Sequence, residues 1–141
     1  MQHIDDDDTL KSLISILVCL VPVFENRIGE NSSYENNIIL KEFCGEDDDM
    51  YKAKIMEIMN LGSVYRLDKC CKVINIILQK PELAGEYFFT NQLNNIMDIC
   101  LREIQQNINV DSKTRVQILR LMETLLNNTK YQEYNYRFED V

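Results

Sequence analysis

Residues 87–104 read YFFTNQLNNIMDICLREI and join an aromatic cluster directly to a periodic helical segment. Apolar residues recur here at the three-and-four spacing of one helix face, namely Leu93, Ile96, Met97, Cys100, Leu101 and Ile104. The side-chain oxygen of Thr90 or Asn91 can accept a hydrogen bond from the free N–H groups of a first helical turn. The segment therefore predicts a helix that starts near residue 90. The rings before it, Tyr87, Phe88 and Phe89, are expected to pack against the first turn and between neighbouring helices.

The composition also favours helices. With 141 residues the chain fits one domain, which buries roughly two-thirds of its unfolded surface. Hydrophobic residues make up 45% and charged residues 27%, as in ordinary globular proteins. The four Gly and two Pro are too few for the turns of an all-β sandwich or barrel. We expect an all-α domain.

Five further helices are predicted, beginning with one over residues 9–27. Its apolar stripe is Leu10, Leu13, Ile14, Leu17, Val18 and Val21. Pro22 is expected to kink this helix or end it early, and residues 1–8 are expected to form an acidic, disordered tail. A short helix is predicted over residues 38–43, where Gly45 can close it.

The remaining predicted helices lie between residue 50 and the C-terminal part of the chain. One follows the run Asp47–Asp49 and carries Met50, Ala53, Ile55, Met56, Ile58 and Met59. The next covers residues 64–79, is ended by Pro81, and buries Leu67, Cys70, Cys71, Ile74, Ile77 and Leu78. The last begins at Asp111 and carries Arg115, Ile118, Leu119, Met122, Leu125 and Leu126 on one side.

The spacing of these helices indicates a repeat. Met50 and Leu93 start corresponding helices 43 residues apart, within the roughly 40–47-residue period of armadillo and HEAT repeats. We therefore expect about six helices in armadillo- or HEAT-like antiparallel pairs, as a right-handed α-solenoid fragment that forms a single domain over residues 9–141. A plain helical bundle is also compatible with the spacing.

The charge distribution limits the partners. The net charge is −8, and residues 1–50 hold 12 acidic and 3 basic residues, which gives −9 for that half. Because such a chain repels phosphates, nucleic acid is not expected as a partner. Arg66, Lys69 and Lys72 form either a solvated basic stripe or a surface for an acidic partner.

Neither a membrane segment nor a catalytic or metal site is predicted. The apolar run over residues 13–24 falls short of the roughly 20 residues that span a bilayer, so we expect a cytoplasmic protein. The five cysteines show neither a disulfide nor a zinc pattern and are interpreted as reduced core thiols. His3 is the only histidine and lies in the tail that is expected to be disordered. Without a phosphate-binding loop, a nucleophile–base pair or a calcium loop, the chain is expected to be no enzyme and to carry no cofactor.

Two polar features are open to more than one interpretation. Asp98 and Arg102 lie four residues apart and either pair with each other or point into a groove between repeats and orient a partner helix. The aromatic C-terminal tail either packs on the last helix or binds a partner, and it comprises Tyr131, Tyr134, Tyr136, Arg137 and Phe138.

From Glu82 to Asp140 the chain resembles the leucine-rich, armadillo-like domain of the WISH/DIP/SPIN family of actin regulators. The resemblance lies in an ordered series of motifs: Phe88 and Phe89 with Thr90 and Asn91, Asp98 and Arg102, Asp111, Leu119 and Arg120, and Asn128, Thr129 and Tyr131. It implies a non-enzymatic protein that binds the actin-related-protein 2/3 complex and activates it to seed linear filaments without a pre-existing filament. It also implies a place in the cytoplasm, at cortical actin or endocytic sites.

The candidates for protein binding are the charged residues of these motifs and of the basic stripe, namely Asp98, Arg102, Arg115, Arg120, Arg66, Lys69 and Lys72. Phe88, Phe89, Thr90, Asn91, Asn128, Thr129 and Tyr131 are expected to be structural. The alternative is a small acidic helical module, either Bcl-2-like or a generic armadillo scaffold, that captures a partner helix in a groove. The absence of Trp counts against the Bcl-2-like form.

Overall fold

A computed structural model describes residues 3–29, 33–61, 67–106 and 111–128 of the chain, with side chains at 7–29, 33–61, 67–105 and 111–127. Within these ranges the α-helices are α1 (His3–Ile28), α2 (Ile38–Phe43), α3 (Asp48–Asn60), α4 (Leu67–Gln79), α5 (Pro81–Ala84), α6 (Thr90–Gln106) and α7 (Ser112–Asn128). A 3₁₀ turn, Tyr34–Asn36, precedes α2. The predicted all-α fold class is confirmed.

The helices stack in two layers. In one layer α4 lies between α1 and α7, and in the other α3 contacts α6. The layers are joined because α3 packs on α4 and α6 packs on α7 as antiparallel pairs. The second pair starts at residue 90 and the first at residue 48, an offset of 42 residues, so the repeat spacing matches the prediction. This is a solenoid-like arrangement in which each pair contacts its neighbour.

The core lies between the layers, and α4 and α6 supply much of it. All six residues predicted to face inward from α4 are buried, as are Leu93, Ile96, Met97, Cys100 and Leu101 of α6. Cys70, Cys71 and Cys100 are buried, whereas Cys19 and Cys44 are partly exposed. A thiol–thiol hydrogen bond with Cys100, together with burial, raises the pKa of Cys71 well above its usual value.

Helix α1 differs from its prediction at the N-terminal end. It begins at His3, so the segment expected to be a disordered tail is helical from residue 3 onward. Carboxylates are favoured at a helix N-terminus, and Asp7 also forms ion pairs with Lys11 and, from α3, with Lys54. The hydrogen bond from Lys54 holds the pKa of Asp7 below its usual range. At the other end the helix continues through Pro22 to Ile28, one residue beyond the predicted end, so Pro22 does not end it early.

Other departures concern one short helix and three side chains. Pro81 not only follows the end of α4 but starts α5, where its fixed φ suits the first helical position. Leu13 and Leu119, which were expected to face the core, are 54% and 51% exposed. Lys52 is buried although it is charged, and it was not among the apolar residues predicted for the inner face of this helix. No helix in the described ranges is both long and apolar enough to cross a membrane.

Candidate functional site

A groove of about 350 Å³ runs across three helices of one layer, and we call it the α1–α4–α7 groove. Its lining is mostly polar and consists of Pro22, Glu25, Asn26, Lys72, Asn75, Ile76, Gln79, Lys80, Gln117, Arg120, Glu123 and Thr124. Two of the predicted protein-binding residues, Lys72 of α4 and Arg120 of α7, thus lie in one groove although they are 48 positions apart in sequence.

A buried polar network stands at one end of this groove. The Lys80 ammonium forms an ion pair with the Glu25 carboxylate, and their side chains are only 3% and 9% exposed. The Asn37 amide donates to the other Glu25 oxygen at 3.3 Å and to the Val21 carbonyl oxygen at 3.2 Å. The Asn37 carbonyl oxygen in turn accepts from the Leu40 N–H and caps α2. The network therefore ties α1, α2 and the start of α5 together.

Asn75 is the exceptional polar residue of the groove. Its side-chain oxygen is buried and has no hydrogen-bond partner among the described residues. A buried acceptor without a partner costs about 1–3 kcal/mol, so a donor group placed in the groove by a binding partner gains a favourable contact. Lys72, Asn75 and Gln79 recur at three-and-four spacing and form a polar edge on α4. That spacing was a readable signal, but the sequence analysis used only its lysine.

A second groove, the α3–α6 groove, encloses about 490 Å³ between the two helices of the other layer. It is lined by Met56, Glu57, Asn60, Asn95, Asp98, Ile99 and Arg102. Asp98 and Arg102 therefore face a groove between consecutive helix pairs, which was one of the two interpretations of this i, i+4 pair. Apolar side chains from each helix, Met56 and Ile99, lie between the charged ones.

Arg102 joins the two helix pairs. Its Nη1 atom donates to the Asn60 side-chain oxygen at 2.9 Å, and its Nη2 atom donates to the Asn60 backbone carbonyl at 3.3 Å. Its Nε atom donates to the Glu103 carboxylate at 3.1 Å. Because Asn60 is the last residue of α3, Arg102 neutralises the C-terminal end of that helix as a cation is expected to do. Sequence analysis missed this role, since Asn60 lies 42 positions away.

The other predicted binding residues are more scattered. Lys69 is half-buried on α4 outside the lining of both grooves, and Arg115 is exposed near the start of α7. Arg66 lies outside the described residues, so the basic stripe is represented by Lys69 and Lys72 alone. Of the motif residues, Asn128 ends α7, and Thr129 and Tyr131 are likewise outside the described ranges.

The aromatic entrance to α6 divides into a buried and an exposed part. Tyr87 and Phe88 are buried with their rings edge to face, and the Tyr87 hydroxyl donates to the Phe43 carbonyl oxygen at 2.8 Å. Burial raises the pKa of Tyr87. Phe89, which was expected to pack inside, is 61% exposed. The prediction is wrong for this ring because α6 begins at Thr90, so Phe89 occupies the cap position itself and not the position before the cap, from which an apolar side chain packs on the first turn.

Lys52 lies beneath these rings. Its ammonium donates to the Tyr87 carbonyl oxygen at 2.9 Å and lies 4.9 Å and 4.8 Å from the ring centroids of Tyr87 and Phe89. Asp48 and Asp49 also lie within 3.5 Å and 3.4 Å of it. These contacts compensate the burial of the charge, as an ion pair and cation–π contacts can.

The start of α6 is also built differently from the prediction. Thr90 and Asn91 are the first two helical residues, and the Phe89 N–H donates to the Gln92 side chain at 2.8 Å. This is the reach-back half of a capping box, in which the third helical residue satisfies the N–H that precedes the helix. The predicted start of the last helix near Asp111 agrees with α7, and there the Asp111 carboxylate accepts from the Thr114 N–H at 2.7 Å.

Stacked helix pairs with polar grooves between them define a class: the helical-repeat scaffolds, which bind other proteins on extended surfaces. Among the described residues no group of three or more His, Cys, Asp or Glu side chains is placed to hold a metal ion. The lining of the two grooves instead contains charged side chains, side-chain amides and a few apolar side chains. Groups of these kinds contact polypeptide side chains at protein interfaces.

The chain belongs to the family described as SPIN90/Ldb17, leucine-rich domain, whose sequence model matches residues 6–141. This confirms the resemblance and extends it well beyond residues 82–140. Protein LDB17 of Eremothecium gossypii is 32% identical over 73 residues, and Protein LDB17 of Saccharomyces cerevisiae is 36% identical over 77 residues. Each match covers 50% of this chain but only 16% and 15% of those relatives. No solved structure matches the chain significantly.

Proposed function

We propose that this protein is a non-enzymatic regulator of the actin cytoskeleton that binds the actin-related-protein 2/3 complex and activates it to nucleate linear filaments without a pre-existing filament. The observation that carries the proposal is the family match over residues 6–141, because the resemblance assigns this activity to the leucine-rich domain. Action at cortical actin or endocytic sites in the cytoplasm is part of the same proposal.

The two grooves are the proposed contact surfaces. Lys72 and Arg120 are two cations in the lining of the α1–α4–α7 groove, which also includes the Glu123 carboxylate and the Asn75 oxygen that has no partner among the described residues. The groove thus offers positive charge to acidic side chains and an acceptor to a donor group. Asp98 and Arg102 line the α3–α6 groove on the other layer. A partner complex that contacts neighbouring helix pairs at once is bound more tightly in one arrangement of its subunits than in another. Such a difference in affinity shifts the population of the complex toward the more tightly bound arrangement, which we propose is the active one.

Actin polymerisation with the purified complex and no seed filaments tests activation. We expect the protein to shorten the lag in a concentration-dependent way, and filaments viewed by microscopy should be unbranched. An unchanged lag at saturating protein would overturn activation. Co-sedimentation of the protein with the complex tests binding separately from activation. A protein that binds without activating is expected to slow nucleation by another activator of the complex, because the two compete for it.

Charge reversal tests the contact surface. The double variant K72E/R120E reverses two of the three cations that line the α1–α4–α7 groove and leaves Lys80 in its ion pair with Glu25. We expect its affinity for the complex to fall at least tenfold, since each lost charged contact at an interface costs about 1–3 kcal/mol. K41E is the matched control, because Lys41 is an exposed lysine on α2 outside both grooves. Equal affinities of the double variant and the control would remove this groove from the interface.

A further inference from the structure

Side-chain amides line the α1–α4–α7 groove, and each of its three helices supplies at least one. They are Asn26 of α1, Asn75 and Gln79 of α4, and Gln117 of α7. A side-chain amide carries an oxygen that accepts and an NH₂ group that donates, and a peptide unit presents the same two kinds of group. Amides on three neighbouring helices are therefore suited to hold the main chain of another polypeptide.

An extended segment is the form of polypeptide that has main-chain groups to offer. In a helix the interior N–H and C=O groups bond to one another, so a helix would contact the groove through side chains alone. A helix that binds in a groove also needs an apolar stripe to bury. Pro22 and Ile76 are the only apolar residues in the described lining. The groove thus suits an extended segment better than a helix.

The order of the helices sets the length of such a segment. Helix α4 lies between α1 and α7, and the axes of packed helices are about 8–10 Å apart. A segment that crosses from α1 to α7 therefore covers about 16–20 Å, which corresponds to about five or six residues at roughly 3.3 Å per residue. It meets a new helix about every three residues.

Asn75 lies on the middle helix of this path. Its side-chain oxygen is buried and has no hydrogen-bond partner among the described residues. Buried polar atoms nearly always have a partner in a folded protein, so this oxygen indicates a donor that a bound molecule supplies. A main-chain N–H of a segment that crosses α4 is such a donor.

The charges of the groove select an acidic segment. Lys80 is paired with Glu25, whereas Lys72 and Arg120 form no ion pair with any described residue. Glu123 is the second carboxylate in the lining, which leaves the described groove with one more cation than carboxylates in a chain of net charge −8. An acidic segment is attracted here and repelled by much of the remaining surface.

We propose that the α1–α4–α7 groove binds an extended, acidic segment, whose main chain bonds to the side-chain amides and whose carboxylates pair with Lys72 and Arg120. Side chains of an extended chain alternate between two faces, so the carboxylates that face the groove are separated by an even number of positions. We take the segment to belong to the actin-related-protein 2/3 complex, and this part rests on the proposed function.

Overlapping synthetic peptides that tile every subunit of the complex are the probe. On an array incubated with the parent protein, we expect acidic peptides to bind, and fluorescence anisotropy then measures their affinities in solution. An array on which no peptide binds, or on which peptides without carboxylates bind equally well, would overturn the proposal.

Asn75→Leu separates a binding role from a structural one. We expect N75L to bind the peptides about three- to tenfold more weakly, the loss of one hydrogen bond, while its stability in urea equals or exceeds the parent's because a buried acceptor without a partner is removed. Q117L repeats the test at an amide of α7. N94L is the matched control, because Asn94 is half-buried on α6 outside both grooves. If N75L and Q117L bind the peptides as N94L does, the amides hold no main chain and the proposal is wrong.

Proline scanning of the bound peptides tests the extended form. Proline is compatible with an extended chain except where its missing N–H is needed, but it breaks a helix at any interior position. We therefore expect affinity to be retained with proline at most positions. Loss of binding with proline at every interior position would mean a helical occupant and would overturn the proposal.

Co-sedimentation with the intact complex distinguishes failure of this proposal from failure of the proposed function. If the parent and N75L bind the complex equally, or if the complex binds and no tiled peptide does, the extended segment is refuted and the proposed function stands. If acidic peptides bind and the intact complex does not, recognition of an extended segment is supported and the proposed function fails.

Discussion

The buried ion pair between Glu25 and Lys80 gives a prediction whose size follows from the structure. Lys80→Met removes the ammonium and keeps an apolar stem, which leaves the Glu25 carboxylate buried without its cation. Breaking a buried pair in this way costs about 3–5 kcal/mol. We expect the lower part of that range, because the Asn37 amide still donates to Glu25 at 3.3 Å.

The double variant E25Q/K80M separates the pair from its surroundings. Glutamine retains an oxygen that can accept from Asn37, and no charge is then left in the network. We expect the double variant to be more stable than K80M, with a coupling free energy of about 1–3 kcal/mol between the two sites. This outcome distinguishes the cost of an orphaned carboxylate from a loss of packing at residue 80.

Urea unfolding followed by circular dichroism measures these values. With an m-value of roughly 1–3 kcal/mol per molar urea, a loss of about 3 kcal/mol lowers the midpoint by about 1–3 M. K72M is the matched control, because Lys72 is a half-buried lysine of the same groove. If K80M and K72M lose equal stability, and the E25Q and K80M effects add within about 0.5 kcal/mol, the reasoning from a buried pair is refuted.

Three further outcomes follow from single residues. Asn37→Ala should lower the free energy of unfolding, measured in urea, by about 2–4 kcal/mol, because it removes a helix cap and two buried hydrogen bonds. Asn37→Asp should lower it at least as much, since it places a carboxylate beside Glu25. A stability loss smaller than that of K72M would contradict both expectations. The Thr114 N–H holds the pKa of Asp111 below its usual 3.8. The stabilisation that Asp111 contributes is therefore present above that pH and disappears as the pH falls through the folded-state pKa. The stability difference between the parent and D111N should shrink on acidification, and a constant difference would contradict this prediction. Burial raises the pKa of Cys44 to about 12. Alkylation of Cys44 by iodoacetamide at pH 8, measured by mass spectrometry, should therefore be far slower in the folded than in the unfolded protein. Equal alkylation rates would contradict the burial of this thiol.

The elements and their inner faces could be predicted because they rest on local patterns. The faces of α4 and α6 follow from apolar spacing alone, and the break before Pro81 follows from the chemistry of proline. The contacts between elements could not be predicted in this way. Arg102 has its nearest helical neighbour Asp98 four positions away, yet the structure shows it bonded to Asn60 at the end of the preceding pair. Lys52 is buried because Tyr87 supplies a carbonyl oxygen from 35 positions away.

Leu13 and Leu119 show a different limit of the sequence. Both belong to apolar patterns that a helix can bury, and periodicity cannot distinguish a core face from a face that another molecule covers. On α1 the apolar residues surround the helix, so the row with Leu13 was merged with the inner stripe. The structure separates the two faces by exposure, since Leu13 and Ile16 are exposed and Ile14 and Val18 are buried.

The polar groups of the grooves also hold the helix pairs together, and this ties binding to stability. Arg102 joins α6 to the end of α3, and the Lys80–Glu25 pair joins the start of α5 to α1. In a stacked-repeat protein the interfaces between neighbours contribute much of the total stability. A ligand that binds only the folded state raises the stability of the protein. A partner that binds across a groove would therefore stabilise the same helix-pair interfaces that it contacts. It follows that an Arg102 variant weakens the scaffold and the proposed contact together, whereas Arg120, exposed on α7, separates them. Affinity measured on Arg120 variants thus reports on binding itself.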